Sequence, residues 1–140
     1  MKVKDIMTEE VEIVHPDDSL KEAAQKMRDR DIGFLPVCDG DRLVGVVTDR
    51  DIAVRSTAEG TDPNTSVGRD LVTSPVVYCF DDQDLKEAAK LMEEHQIRRV
   101  AVLSRADKRL VGVVSLGDIA TNGTKKTSAE VLEKVSEPTG

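Results

Sequence analysis

With 140 residues the chain can form one compact domain or two small fused units. Its formal net charge of −7 argues against nonspecific binding to nucleic acid or to an anionic membrane surface. Phe34, Tyr78 and Phe80 are its only aromatic residues, too few for a base-stacking platform, and no run approaches the ~18 apolar residues of a membrane span.

The opening residues MKVKDIMTEEVEIV carry acids where a secretory leader needs an apolar stretch, so a cytoplasmic protein is expected. Cys38 and Cys79 form no CxxC and are read as buried free thiols.

The sequence then states one plan twice. An apolar stretch opens each copy: Val11, Ile13 and Val14 in the first, Val76, Val77 and Cys79 in the second. An acidic turn follows, HPDD (15–18) or FDDQ (80–83), and then an amphipathic helix. Leu20, Ala23, Ala24 and Met27 fall on one helical face, and Leu85, Ala88, Ala89 and Met92 repeat that stripe. Ser19 with Glu22, and Asp84 with Glu87, predict capping boxes. Two strands come next, Phe34–Cys38 with Leu43–Thr48, and Val100–Leu103 with Leu110–Ser115. The turns between them are Asp39-Gly40-Asp41 and the longer SRADK (104–108). A short helix begins near Asp49 and near Leu116.

The expected fold class is α+β: two β-α-β-β-α units related by a pseudo-twofold axis and sharing a core. The boundaries read are 1–58 for the first motif, 59–66 for a linker and 67–122 for the second motif. Residues 123–140 are a polar stretch and tail, in which Thr127 and Glu130 can cap a final helix carrying Val131, Leu132 and Val135.

The chemistry concentrates in Gly45-Val-Val-Thr48-Asp-Arg-Asp51 and its twin Gly112-Val-Val-Ser115-Leu-Gly-Asp118. Both read G-x-x-[S/T]-x-x-D across a strand-to-helix junction. Glycine permits close backbone approach. The hydroxyl of Thr48 or Ser115 suits a phosphate or ribose oxygen, and the carboxylate of Asp51 or Asp118 suits paired ribose hydroxyls. Unused helix N–H groups would favour an anion. Helix capping by the two hydroxyls, with solvated aspartates, is the competing reading.

These segments, with DIMT (5–8), DLVTSPV (70–76), IGFLPV (32–37) and IRRVAV (97–102), resemble a tandem CBS-domain protein over about residues 3–122. The layout is similar to small stand-alone bacterial and archaeal CBS pairs, hypoxic-response proteins among them. The resemblance implies a regulatory module with clefts for AMP, ADP, ATP or S-adenosylmethionine. It assigns ribose to Asp51 and Asp118, with Thr48 and Ser115 near ribose or phosphate. It places Val11 and Ile13, or Val76 and Tyr78, beside adenine. It also implies a homodimer, no required cofactor, and output through a separate, unknown effector protein.

The copies differ where Arg98-Arg99 replaces Gly33-Phe34 and where Gly117 replaces Arg50. Basic residues at the first place contact phosphate in the gamma subunit of AMP-activated protein kinase, so two unequal clefts are expected. Surface pairing of Arg98 and Arg99 with Glu93, Glu94 or Asp107 is the competing reading.

No nucleophile–base set, phosphate-binding loop or dinucleotide fingerprint is legible, so no enzyme is expected. His15, His95, Cys38 and Cys79 have no metal-ligand spacing, so no metal is expected. The rival to ligand binding is an assembly module with unoccupied clefts, in which Ala23-Ala24 and Ala88-Ala89 let helices of two subunits approach.

Overall fold

The structure is a computed structural model and describes residues 1–67 and 76–122. Most of DLVTSPV (70–76) and the final helix expected on Thr127 and Glu130 lie outside the described residues. The chain divides into two compact units. One is the contiguous stretch Glu12–Val76, and the other joins Met1–Val11 to the chain from Val77 onward.

In the contiguous unit, α1 (Leu20–Arg30) precedes the antiparallel hairpin of β1 (Phe34–Asp39) and β2 (Arg42–Thr48), followed by α2 (Asp51–Thr57). The α1 stripe faces a core of Val14, Leu20, Ala23, Met27, Leu35, Val37 and Val47. Ser19 Oγ accepts the Glu22 N–H at 3.0 Å, which is the Ser19 half of the expected capping box. Only Val14 of the expected first strand pairs, bridging Val37 in parallel, while Val11 and Ile13 lie outside any strand.

In the discontinuous unit, β3 (Tyr78–Phe80) pairs in parallel with β4 (Arg99–Leu103), which pairs antiparallel with β5 (Leu110–Ser115). The helix α3 (Leu85–His95) packs Leu85, Ala88, Ala89 and Met92 against Val100, Val102 and Val114, and α4 (Leu116–Asn122) adds Leu116 and Ile119. Asp84 caps α3, but through the Lys86 N–H at 2.9 Å; the Glu87 carboxylate accepts instead from the Gln83 side chain. Of the two alanine pairs, Ala23, Ala88 and Ala89 are buried within their own units and Ala24 is half-buried.

Both hairpins carry the same bulge. Val37 faces Gly45 and Cys38 faces Leu43, which leaves Val44 unpaired; Val102 faces Gly112 and Leu103 faces Leu110, which leaves Val111 unpaired. The second helices differ in winding. The Thr57 hydroxyl reaches back five residues to the Ile52 carbonyl at 3.2 Å, and α2 is a π-helix. The Thr121 hydroxyl reaches back four residues to Gly117 at 2.9 Å, and α4 is an ordinary α-helix.

Each unit also takes in chain that lies outside its own helix and hairpin. Residues 63–67 run against the start of α1: the Thr65 and Pro63 carbonyls accept the Leu20 and Lys21 N–H groups at 3.0 and 2.9 Å, and Val67 is fully buried. Residues 1–8 do the same for the other unit. The Met1 carbonyl accepts the Leu85 N–H at 2.9 Å, Val3 is fully buried, and Thr8 bridges Val113. In each unit a segment from outside the repeat thus satisfies helix N–H groups that have no intrahelical acceptor. No helix among the described residues is long and apolar enough to cross a membrane.

Candidate functional site

Each candidate corner lies where the second hairpin strand turns into the short helix. In the first, the Thr48 N–H donates to Asp51 Oδ2 at 3.0 Å while the Asp51 N–H donates to Thr48 Oγ1 at 3.1 Å. In the second, the Ser115 N–H donates to Asp118 Oδ2 at 2.9 Å and the Asp118 N–H to Ser115 Oγ at 3.0 Å. Hydroxyl and carboxylate therefore close a reciprocal cap. Each hydroxyl keeps its proton to donate, and each aspartate keeps Oδ1, which accepts no hydrogen bond among the described residues.

The expectation of unused helix N–H groups fails at the first corner. The Asp49, Arg50 and Asp51 N–H groups donate to the Gly33 carbonyl, Asp49 Oδ1 and Thr48 Oγ1 at 3.0, 2.8 and 3.1 Å. At the second corner, the Leu116 N–H donates to the Arg98 carbonyl at 2.8 Å.

Gly112 serves a different approach from the one expected. A Cβ there would stand 2.8 Å from the Thr8 carbonyl and 2.9 Å from Met7 Sδ. The glycine admits the chain's own residues 7–8.

Arg98 and Arg99 are exposed and make no ion pair among the described residues; Glu94 pairs instead with Lys90. With Ser115, Leu116, Gly117 and Ala120 they line a cleft of about 280 Å³. The register puts Arg99 opposite Ser115, so both arginines lie at the Ser115 side of the second corner, while Asp118 is not among the residues lining the cleft. That volume is slightly below the ~300 Å³ at which pockets for whole small molecules begin, so the cleft suits one end of a ligand.

Arg50 is exposed at the start of α2. Val11, Ile13 and Val76 are half-buried, and the Ile13 carbonyl accepts from Lys26 Nζ at 2.7 Å. Tyr78 is 39% exposed and meets Phe80 edge-to-face at 5.6 Å. Phe80 also carries the Arg105 guanidinium 4.2 Å above its ring, and Arg105 forks onto Asp82.

A second cleft, of about 440 Å³, lies between α1 and α2, with Lys21, Gln25, Arg28, Thr57 and Thr61 on its walls. Sequence reading missed it because residues 61–63 join it only by folding back on α1. It also missed Asp49, whose one signal is the contrast of Asp49-Arg50 with Leu116-Gly117 inside otherwise matching motifs.

Both cysteines are buried and free. Burial, with Asp41 nearby, pushes the Cys38 thiol up to about 11. Burial, with Asp81 and Glu87 nearby, pushes Cys79 up to about 12. Such thiols stay protonated and are poor nucleophiles or metal ligands near neutral pH.

The CBS-domain family model matches residues 3–56 and again residues 67–123. The chain belongs to the CBS-domain family. Hypoxic response protein 1 of Mycobacterium tuberculosis is 40% identical to this CBS pair over 136 residues, covering 96% of this chain and 94% of that protein. A crystal structure of Hypoxic Response Protein I with two coordinated zinc ions is 44% identical, covers 87% of this chain and 98% of its own, and superposes with a TM-score of 0.80. The CBS domain pair of protein MJ0100, in complex with 5′-methylthioadenosine and S-adenosyl-L-methionine, is 29% identical, covers 86% and 94%, and gives a TM-score of 0.76. CBSX2 in complex with AMP is 30% identical, covers 86% and 93%, and gives 0.73.

Proposed function

We propose that this CBS pair is a non-catalytic regulatory module that binds an adenosine-containing nucleotide and signals to a partner protein from the cytoplasm. One observation carries the reading: Arg98, Arg99 and Ser115 converge on one cleft, and neither arginine is neutralised by a carboxylate of the described residues. A pair of guanidinium groups beside a hydroxyl suits a phosphate, which they can hold by charge-assisted, bidentate bonds. Asp118 Oδ1 then takes ribose, and Asp51 with Thr48 and Arg50 plays the corresponding part in the other copy. Val11 with Ile13, and Val76 with Tyr78, flank adenine. AMP in CBSX2 and the adenosyl compounds in the MJ0100 pair support the ligand class. AMP, ADP and ATP share the phosphate that this cleft would recognise, and energy sensing would require it to bind them with different affinities.

The two zinc ions are a property of the hypoxic-response structure. Among the described residues no three His, Cys, Asp or Glu side chains are grouped to hold a metal ion.

Calorimetric titration of adenosine, AMP, ATP and S-adenosylmethionine tests the reading on wild type, Asp51→Ala, Asp118→Ala and the double variant Arg98→Ala/Arg99→Ala. The arginine variant should lose AMP and ATP while keeping adenosine. Unchanged affinities in all three variants would sink the site assignment.

The reciprocal caps favour one alternative, a homodimeric assembly module whose motif aspartates are structural. Thermal unfolding separates the two. A ligand selective for the native state, at 100 times its dissociation constant, adds about 2.7 kcal/mol. No shift with any of the four compounds supports assembly.

A further inference from the structure

We propose that Asp49 is a specificity-determining residue that keeps phosphate-bearing ligands out of the first copy. The proposal rests on the reading of Arg98 and Arg99 as phosphate contacts and extends it to the copy that lacks them.

The two corners share strand register and backbone bonds. Phe34 faces Thr48 as Arg99 faces Ser115. The Asp49 N–H donates to the Gly33 carbonyl as the Leu116 N–H donates to that of Arg98. Gly33 therefore stands for Arg98, Phe34 for Arg99, Asp49 for Leu116 and Arg50 for Gly117. Beyond the aspartate that both corners share, these exchanged positions give the second copy two cations and no acid, and the first copy one of each.

The acid of the first copy is not simply solvated. Asp49 Oδ1 accepts the Arg50 N–H at 2.8 Å, and the carboxylate lies over Gly33 so closely that a Cβ there would meet Oδ2 at 2.7 Å and the carboxyl carbon at 2.9 Å. Gly33 has no left-handed φ, and the nearest neighbour of a Cβ there is the Asp49 carboxylate, which would have to move. The carboxylate holds the ground over the Gly33 backbone, beside the β2 end, and it carries the charge sign of a phosphate. A phosphate entering there must displace Asp49 or sit against it, which in water at ~4 Å costs roughly sixfold in affinity per unit of phosphate charge before salt screening. The first copy thus admits an adenosyl group without phosphate, and the second takes the nucleotide.

Amide NMR reads the copies separately, and inorganic pyrophosphate is the probe. In wild type, saturable shifts are expected at Arg98, Arg99, Ser115 and Gly117 and absent at Gly33, Asp49 and Arg50. The double variant Gly33→Arg/Asp49→Leu installs residues that already coexist in the second copy. It should gain saturable shifts at its first corner, with a midpoint within about tenfold of the second. Saturation at both corners of wild type, or no gain in the double variant, overturns the proposal. If the second corner of wild type fails to respond, the phosphate reading of Arg98 and Arg99 falls, and Asp49→Asn, which adds no cation, decides Asp49: a gain at the first corner supports its role and no gain refutes it. Asp49→Asn keeps an acceptor for the Arg50 N–H and removes only the charge. Should the double variant lack a native spectrum, a weaker gain in Asp49→Asn supports the proposal and none overturns it.

Discussion

Gly112 and Thr8 are in contact across the discontinuous unit: a Cβ on Gly112 would meet the Thr8 carbonyl oxygen at 2.8 Å. Thr8 is held there by two backbone bonds with Val113, at 2.9 and 3.0 Å, so it cannot retreat without losing them. Gly112→Ala should lower stability by about 1–3 kcal/mol through overpacking. Gly117→Ala is the control. Its Cβ would meet Ser115 Oγ at an ordinary 3.6 Å, and alanine improves helix propensity, so stability should hold or rise by up to about 1 kcal/mol. Urea unfolding midpoints check both.

Gly33 and Asp49 should show coupled energetics. Gly33→Ala alone forces the Asp49 carboxylate off its place and should destabilise. Asp49→Leu should relieve that clash, as Leu116 accompanies Arg98 in the other copy. A double-mutant cycle should return a coupling of about 0.5–3 kcal/mol. Additive effects would mean that the carboxylate moves aside freely.

The reciprocal caps separate stability from binding. Ser115→Ala removes the acceptor for the Asp118 N–H and should cost about 0.5–2 kcal/mol. Asp118→Ala removes the acceptor for the Ser115 N–H and also the unengaged Oδ1. It should therefore weaken adenosine and AMP alike, even where the protein is fully folded. Melting curves with calorimetry at low temperature distinguish the two losses.

Asp82 supplies a pH dependence. Its hydrogen bonds from Arg105 hold its carboxyl below the ordinary range. A carboxyl whose folded value is depressed adds stability above the unfolded value, about 4, and loses it as pH falls through the lower folded value. Arg105→Gln should therefore be less stable than wild type at pH 6, with a gap that narrows below about pH 4. A residual gap should persist in acid, because Arg105 also covers the Phe80 ring. Unfolding midpoints across that range, with the Asp82 titration followed by NMR, check the sign.

Local periodicity made much of this fold legible. The stripes of α1 and α3, the hairpins and the hydroxyl–aspartate corners all follow from spacing within a few residues. What escaped was non-local. Val3 and Val67 look like isolated apolar residues in polar surroundings, and only tertiary pairing shows each filling a core. Val11 and Ile13 alternate as a strand should, yet only Val14 reaches β1. Arg98 and Arg99 were visible as a contrast between copies. That they share a corner with Ser115 needed the register of β4 on β5. Asp49 was hidden because its effect falls on Gly33, across a strand pair rather than along the chain.

The discontinuous unit also fixes an order of events during synthesis. Domains generally close from the N-terminal end as the chain emerges. Glu12–Val76 is contiguous, so its hairpin and helix can close while the rest is still being translated. Met1–Val11 emerges before that stretch but pairs with residues from Val77 onward, so it must wait, unpartnered, until α3 and β5 have been made. A chain arrested between these points would expose Val3 and the DIMT stretch, and those residues would offer a handle to a chaperone or protease.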